Sequence, residues 1–216
     1  MIHNLSTQNS IASQFVAELR DINIQNDSLR FRRNLERLGE VLAYEISKTL
    51  EYHTIEVETP LGIAKSVKHS KEIVLATILR AGLPMHTGMH NYFDGAQNAF
   101  ISAYRCHHKD GSFEIKLEYV SCPDMDNKIL IICDPMLATG ASMDIALKEI
   151  NKIGTPFQTH IATAIASQDG IDHIRRIYPD ATLWTADVDE ELTAKSFIVP
   201  GLGDAGDLSF GPKIQK

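Results

Sequence analysis

With 216 residues, 44% of them hydrophobic and 23% charged, the chain has the composition of one globular domain over 1–216, and no segment has a disordered composition. The formal charge of −7 counts against a general nucleic-acid binder, whose affinity needs a basic footprint, but leaves room for small anions held by local donors. Cys106, Cys122 and Cys133 form no C-x-x-C pair, residues 1–10 are polar, and no apolar run is long enough to span a bilayer, so free thiols, a cytoplasmic location and no membrane association are expected.

Residues 11–19 carry a short helical pattern. In 29–50, Phe31, Leu35, Leu38, Leu42 and Ile46 recur at helical spacing. Ile55 and Val57 alternate with Glu56 and Glu58, which predicts a short strand stopped at Pro60, in an arm covering 54–66. Ile73–Leu79 reads as a buried strand followed by the turn Arg80-Ala81-Gly82, and 99–104 as another strand. Lys109-Asp110-Gly111 is a hairpin signal, with Phe113, Ile115, Leu117 and Tyr119 alternating after it. Ile129–Cys133 is a further apolar strand, and Met143, Ala146, Leu147 and Ile150 share one helical face. Strand, helix and strand follow at 161–166, 171–177 and 182–186. Apolar strands alternating with helices predict an α/β fold: a mostly parallel central sheet with helices on both faces, N-terminal helices and a β-hairpin arm. Ligands in such folds sit beyond the carboxyl ends of the strands.

Between the strand ending at Cys133 and the following helix the chain reads Asp134-Pro135-Met136-Leu137-Ala138-Thr139-Gly140-Ala141-Ser142. Such a loop can aim several backbone N–H groups at one anion, with the helix dipole adding to the attraction. Gly140 permits close approach, Thr139 and Ser142 add hydroxyl donors, and Asp134 is an acceptor suited to ribose hydroxyls. A plain helix cap would explain Thr139 or Ser142 alone; the buried strand, the acid and the helix together favour the anion site. The run resembles the phosphoribosyl-pyrophosphate loop of the phosphoribosyltransferases. Most of that superfamily has two acids after the strand, whereas Pro135 takes the second place here, a form similar to that of the uracil phosphoribosyltransferases.

Three glycines and a proline in 200–206 predict an irregular, exposed loop whose main chain offers donors and acceptors. The run from Ile198 to Asp207 again resembles the uracil phosphoribosyltransferases, although Leu208 stands where the family usually has Arg. Arg80 and Arg105 end neighbouring strands, and paired guanidinium groups suit a pyrophosphate. The settings Ile-Leu-Arg-Ala-Gly and Tyr-Arg are similar to those of the same family, with Pro84 in place of a frequent Gly. His86 and His90 lack the Glu of a metalloprotease helix, since Thr87 stands there. The side chains of Cys106, His107 and His108 would alternate across a strand, so they are poorly placed to share one ion.

The resemblance implies transfer of phosphoribosyl from phosphoribosyl pyrophosphate (PRPP) to uracil, releasing UMP and diphosphate, with Mg²⁺ as cofactor. It implies PRPP contacts from Arg80, Arg105, Asp134, Pro135, Met136, Leu137, Ala138, Thr139, Gly140, Ala141, Ser142 and Asp204. Uracil would be read by Ile198, Gly203, Asp204 and Ala205, largely through the main chain, and Asp134, Asp204 and Arg105 would be the catalytic set. It further implies a homodimer or homotetramer, and GTP, which activates some relatives, becomes a candidate effector. Other readings are a phosphoribosyltransferase for another base, a pyrimidine-sensing RNA-binding regulator on the same fold, and a non-catalytic nucleotide-binding subunit. The 198–207 loop argues against the first, the −7 charge against the second and the complete site set against the third.

Overall fold

The computed structural model describes residues 1–107 and 113–213, with 104–107 and 113–116 described by their backbone alone. In chain order the elements are β1 (Ile2–Asn4), α1 (Ile11–Arg20), α2 (Ser28–Ser47), β2 (Tyr52–Thr59), β3 (Gly62–His69), β4 (Ile73–Leu79), α3 (Leu83–His90), β5 (Gln97–His107), β6 (Phe113–Ser121), β7 (Ile129–Cys133), β8 (Met136–Leu137), α4 (Ala141–Asn151), β9 (Gln158–Ser167), α5 (Gln168–Ile177), β10 (Thr182–Asp189), β11 (Glu191–Leu192), β12 (Ile198–Val199) and α6 (Ala205–Phe210). The hairpin tip predicted at Lys109-Asp110-Gly111 lies outside the described residues.

The central sheet runs β1-β10-β9-β7-β4-β5-β6, with β8 also pairing with β9. Its pairings are parallel except for β6, which runs antiparallel to β5. Successive residues of a strand face opposite sides, and β4 divides its apolar residues accordingly. Ile73 and Leu75 pack with α1, α2 and α3, whereas Val74, Ala76 and Ile78 pack with α4 and α5. Burial on both faces explains why β7 is apolar throughout and β4 is apolar except for the buried Thr77.

Local signals set the helix starts. The Ser10 hydroxyl accepts from the Ala12 N–H at 3.3 Å, and the Asp27 carboxylate accepts from Leu29 and Arg30 at 3.0 and 3.1 Å. In α2 the predicted apolar stripe is buried, with Phe31, Leu35, Leu38, Leu42 and Ile46 at most 1% exposed. Truncating one such side chain to Ala costs about 2–5 kcal/mol. Among the described residues no helix is long and apolar enough to cross a membrane.

Three features depart from the sequence expectations. The polar N-terminus contributes an edge strand, β1, in parallel register with β10. The predicted β-hairpin arm is present as β2–β3 but longer than the short strand read at 55–58, each strand running 8 residues, with Leu61, Ile63 and Val67 100%, 71% and 61% exposed. The 200–206 run is neither wholly irregular nor wholly exposed: Gly201, Leu202, Ala205 and Gly206 are buried, and α6 begins at Ala205. Asp204 supplies the local reason, because its carboxylate accepts the Asp207 N–H at 2.9 Å and caps a helical turn despite the surrounding glycines.

Candidate active site

Asp134 follows β7 and Arg80 follows β4, two strands paired with Thr77 opposite Cys133, so both lie at the carboxyl edge of the sheet. The chain after Asp134 is stitched onto β9. The Pro135 carbonyl accepts from the N–H groups of Ala164 and Ile165 at 3.1 and 2.9 Å, and Met136–Leu137 form β8. A small concavity follows, lined by Asp134 and residues 136–143. Of the sequence-predicted loop, only Pro135 is absent from that lining; it is buried beneath it.

Gly140 is the N-cap of α4, with φ 78° and no side-chain cap bond. Its left-handed backbone favours glycine, and a Cβ there would approach His173 Cδ2 to 3.0 Å. Thr139 Oγ1 accepts from the Ala141 N–H at 3.4 Å, a long contact. The remaining first-turn N–H groups of α4 have no partner within the helix, as at any helix start, and they border the concavity. Helix α5 props the loop from behind. The Ser167 hydroxyl donates to the Ala138 carbonyl while accepting from the Gly170 N–H at 2.9 Å. Next to Asp134, burial pushes the Cys133 thiol up to about 12, so it stays protonated and is no nucleophile.

The base-side run lies at the same edge. Ile198 and Ala205 are buried, whereas Gly203 (φ 93°) and Asp204 are exposed. Arg80 ties the turn after β4 to this run: its Nη2 donates to Asp207 Oδ1 at 3.0 Å and its Nη1 to the Gly211 carbonyl at 3.3 Å. Gly206 sits against this turn, its added Cβ falling 3.9 Å from Arg80 Nη2 and 4.0 Å from Ala81 Cβ. Arg105 belongs to β5, three residues beyond Ser102, the register partner of Leu79. Its side chain is outside the described residues.

The histidines behave as helix residues. His86 and His90 share a face of α3, and burial, followed by His90, lowers the pKa of His86. Among the described residues no group of three or more His, Cys, Asp or Glu side chains is placed to hold a metal. The Cys106, His107 and His108 trio lies outside the described side chains.

Sequence reasoning missed Arg20, Gln25, Asp187 and Asp189, which hold the 198–207 run from behind. The available signal was the pair of acids closing strand β10, Asp187 and Asp189, beyond the predicted strand end at 186.

The chain matches the uracil phosphoribosyltransferase family model over residues 6–212. It is 53% identical over 215 residues to the uracil phosphoribosyltransferase of Porphyromonas gingivalis, covering 99% of each chain. It is 39% identical over 205 residues to that of Thermococcus gammatolerans, covering 94% of this chain and 90% of the relative. A solved structure of an Aquifex aeolicus protein superposes over 100% of both chains with a TM-score of 0.88 and 31% identity.

Proposed function

We propose a division of labour among the site residues on the premise those matches establish: the chain belongs to the uracil phosphoribosyltransferase family. It is a pentosyltransferase of pyrimidine salvage that joins uracil to PRPP and releases UMP and diphosphate. The observation that carries the assignment of residues is the bridge from Arg80 to Asp207, which ties the base run to the turn after β4, at the sheet edge where Asp134 leaves the neighbouring β7.

The N–H groups at the start of α4, with the hydroxyls of Thr139 and Ser142, hold the 5′-phosphate. Asp134 accepts from the ribose hydroxyls. Arg80 and Arg105 bind the diphosphate, whose charge grows as its bond to the anomeric carbon breaks. To do so Arg80 exchanges Asp207 for substrate oxygens. The main chain of Ile198, Gly203 and Ala205 reads uracil, whose edge presents an acceptor, a donor and an acceptor; cytosine differs at the exocyclic position and leaves buried groups unpaired. A uracil ring nitrogen forms the bond to the anomeric carbon and loses its proton, and diphosphate departs with the electron pair of the broken bond. Orientation of two bound substrates supplies much of the acceleration.

Magnesium ordinarily binds through one or two carboxylates plus substrate phosphates, and the exposed Asp204 carboxylate fits that part. With PRPP bound, Mg²⁺ would offset charge on the diphosphate. The β2–β3 arm supports a homodimer or homotetramer: an isolated two-stranded hairpin is marginal in water, and this one exposes Leu61, Ile63 and Val67. Residues 1–216 act as one catalytic unit, in the cytoplasm.

The test is UMP formation from uracil and PRPP with Mg²⁺, beside cytosine, orotate, hypoxanthine and adenine, with and without GTP. Turnover confined to uracil supports the reading of 198–205; turnover of another base leaves the phosphate loop in place and overturns the base loop.

A further inference from the structure

The exposed tip of the base run, Gly203 and Asp204, is preceded by a buried anchor at Gly201. The Gly201 N–H donates to Asp189 Oδ2 at 2.9 Å, and the Gly201 carbonyl accepts from Arg20 Nη1 at 2.9 Å. Arg20 and Asp189 also grip each other, Nη1 to Oδ2 and Nη2 to Oδ1, both at 2.8 Å. The result is a closed ring: both polar groups of the Gly201 backbone are captured by one bidentate ion pair. Arg20 Nη2 has a third acidic contact, Asp187 Oδ2 at 2.8 Å. The next carbonyl, that of Leu202, accepts from Gln25 Nε2 at 3.3 Å, and the same amide nitrogen holds the Leu19 carbonyl at 2.9 Å.

The arrangement is built for orientation. Asp189 is 6% exposed, and a buried ion pair is a poor source of net stability because desolvation offsets its attraction. Its planar, two-point geometry does fix direction. Gly201 has φ 59°, and a Cβ there would run into the Ile198 carbonyl, so the backbone enters the ring in one conformation. Two residues later the chain reaches Gly203. A main chain that reads a base by hydrogen bonds must be held to within about 0.5 Å by its supporting residues.

We propose that Arg20 and Asp189 are positioning residues for base recognition. They lock the Gly201 peptide and thereby aim the main chain of 203–205 at the base, with Asp187 restraining Arg20. The inference rests on the reading of 198–205 as the base loop.

The test uses the full-length enzyme, with uracil and PRPP varied separately and melting followed in parallel. Arg20→Lys keeps the charge but cannot serve both carboxylate oxygens and the Gly201 carbonyl. Asp189→Asn keeps the size but loses one acceptor. Each should raise the KM for uracil about 10-fold, the loss expected for one charge-assisted hydrogen bond, with the KM for PRPP within about 2-fold of wild type. A uracil KM unchanged in both variants, or equal rises for the two substrates, overturns the proposal. Should both variants melt below the assay temperature, Asp187→Asn decides. It leaves the Arg20–Asp189–Gly201 ring intact and should raise the uracil KM about 2- to 3-fold without moving that for PRPP; no change overturns the proposal. Gly203→Val separates the two levels. If it raises the uracil KM while the ring variants do not, positioning fails and the base loop stands. If it too leaves the uracil KM unchanged, the base loop falls and the proposal with it.

Discussion

The two halves of the site are built differently. The phosphate loop, 134–142, is made by neighbours in sequence: it leaves β7, pairs with β9, enters α4 and rests on α5, all between 129 and 177. The base run is held from across the chain. Its carbonyls reach Arg20 and Gln25 over 181 and 177 residues, the Ser209 carbonyl accepts from Arg32 over 177, and Asp207 meets Arg80 over 127. A locally built loop keeps its shape when distant residues change, whereas a remotely anchored one inherits every disturbance of its anchors.

The largest expected effect tests the local half. Asp134→Asn should lower kcat/KM for PRPP about 100- to 1,000-fold, as for loss of one electrostatic group in an active site, with unfolding unchanged. Wild-type kinetics would remove Asp134 from its assigned role. Next comes a change outside both halves. His160 Nδ1 accepts from Trp184 Nε1 at 3.1 Å, and burial lowers its pKa from 6.5 to about 4. The unfolded chain therefore binds a proton that the folded chain resists. Stability is full above pH 6.5, falls as pH drops through the window and levels off below about 4, by about 3 kcal/mol in all. Urea titrations of wild type and His160→Gln should diverge across that window; parallel curves would show that His160 does not titrate this way. Both halves of the site should suffer together here, which distinguishes global from local loss.

Gly203→Val should harm the remotely anchored half alone. Valine at φ 93° costs on the order of 1–3 kcal/mol of strain, so the uracil KM should rise about 10-fold while the PRPP KM holds. Equal loss of both would mean that the run is coupled to the phosphate loop more tightly than Arg80 implies. The smallest effect belongs to that coupling. Arg80 and Asp207 are 40% and 38% exposed, so their ion pair contributes at most about 1 kcal/mol. Asp207→Asn should free Arg80 for substrate and lower the KM for PRPP by no more than about 5-fold. A rise would show that Asp207 holds Arg80 in place and does not compete for it.

Much of this was legible beforehand where one segment carries its own explanation. The bounds Ile73–Leu79 and Ile129–Cys133 follow from apolar runs, broken in the first only by Thr77, and the buried face of α4 from Met143, Ala146, Leu147 and Ile150. Strand β1 was not legible, because three residues at a sheet edge carry no period and take their structure from β10. Nor was α6, since Gly206 counts against a helix and only the cap at Asp204 compensates.

The sequence by itself determined the alternation of apolar strands and helices, the helix start after Gly140 and the family resemblance of the runs at 134 and 198. Each depends on residues a few positions apart, where backbone sterics and periodicity act directly. Only the tertiary structure decided that Arg20 closes a ring with Asp189 around Gly201, that Arg80 reaches Asp207 and that Trp184 finds His160. Such partners are chosen by the parallel order of the strands and the packing of α1 against the sheet. An arginine at residue 20 carries no local mark of an acid at 189; burial at a shared edge makes them partners, because neither charge can be left there alone.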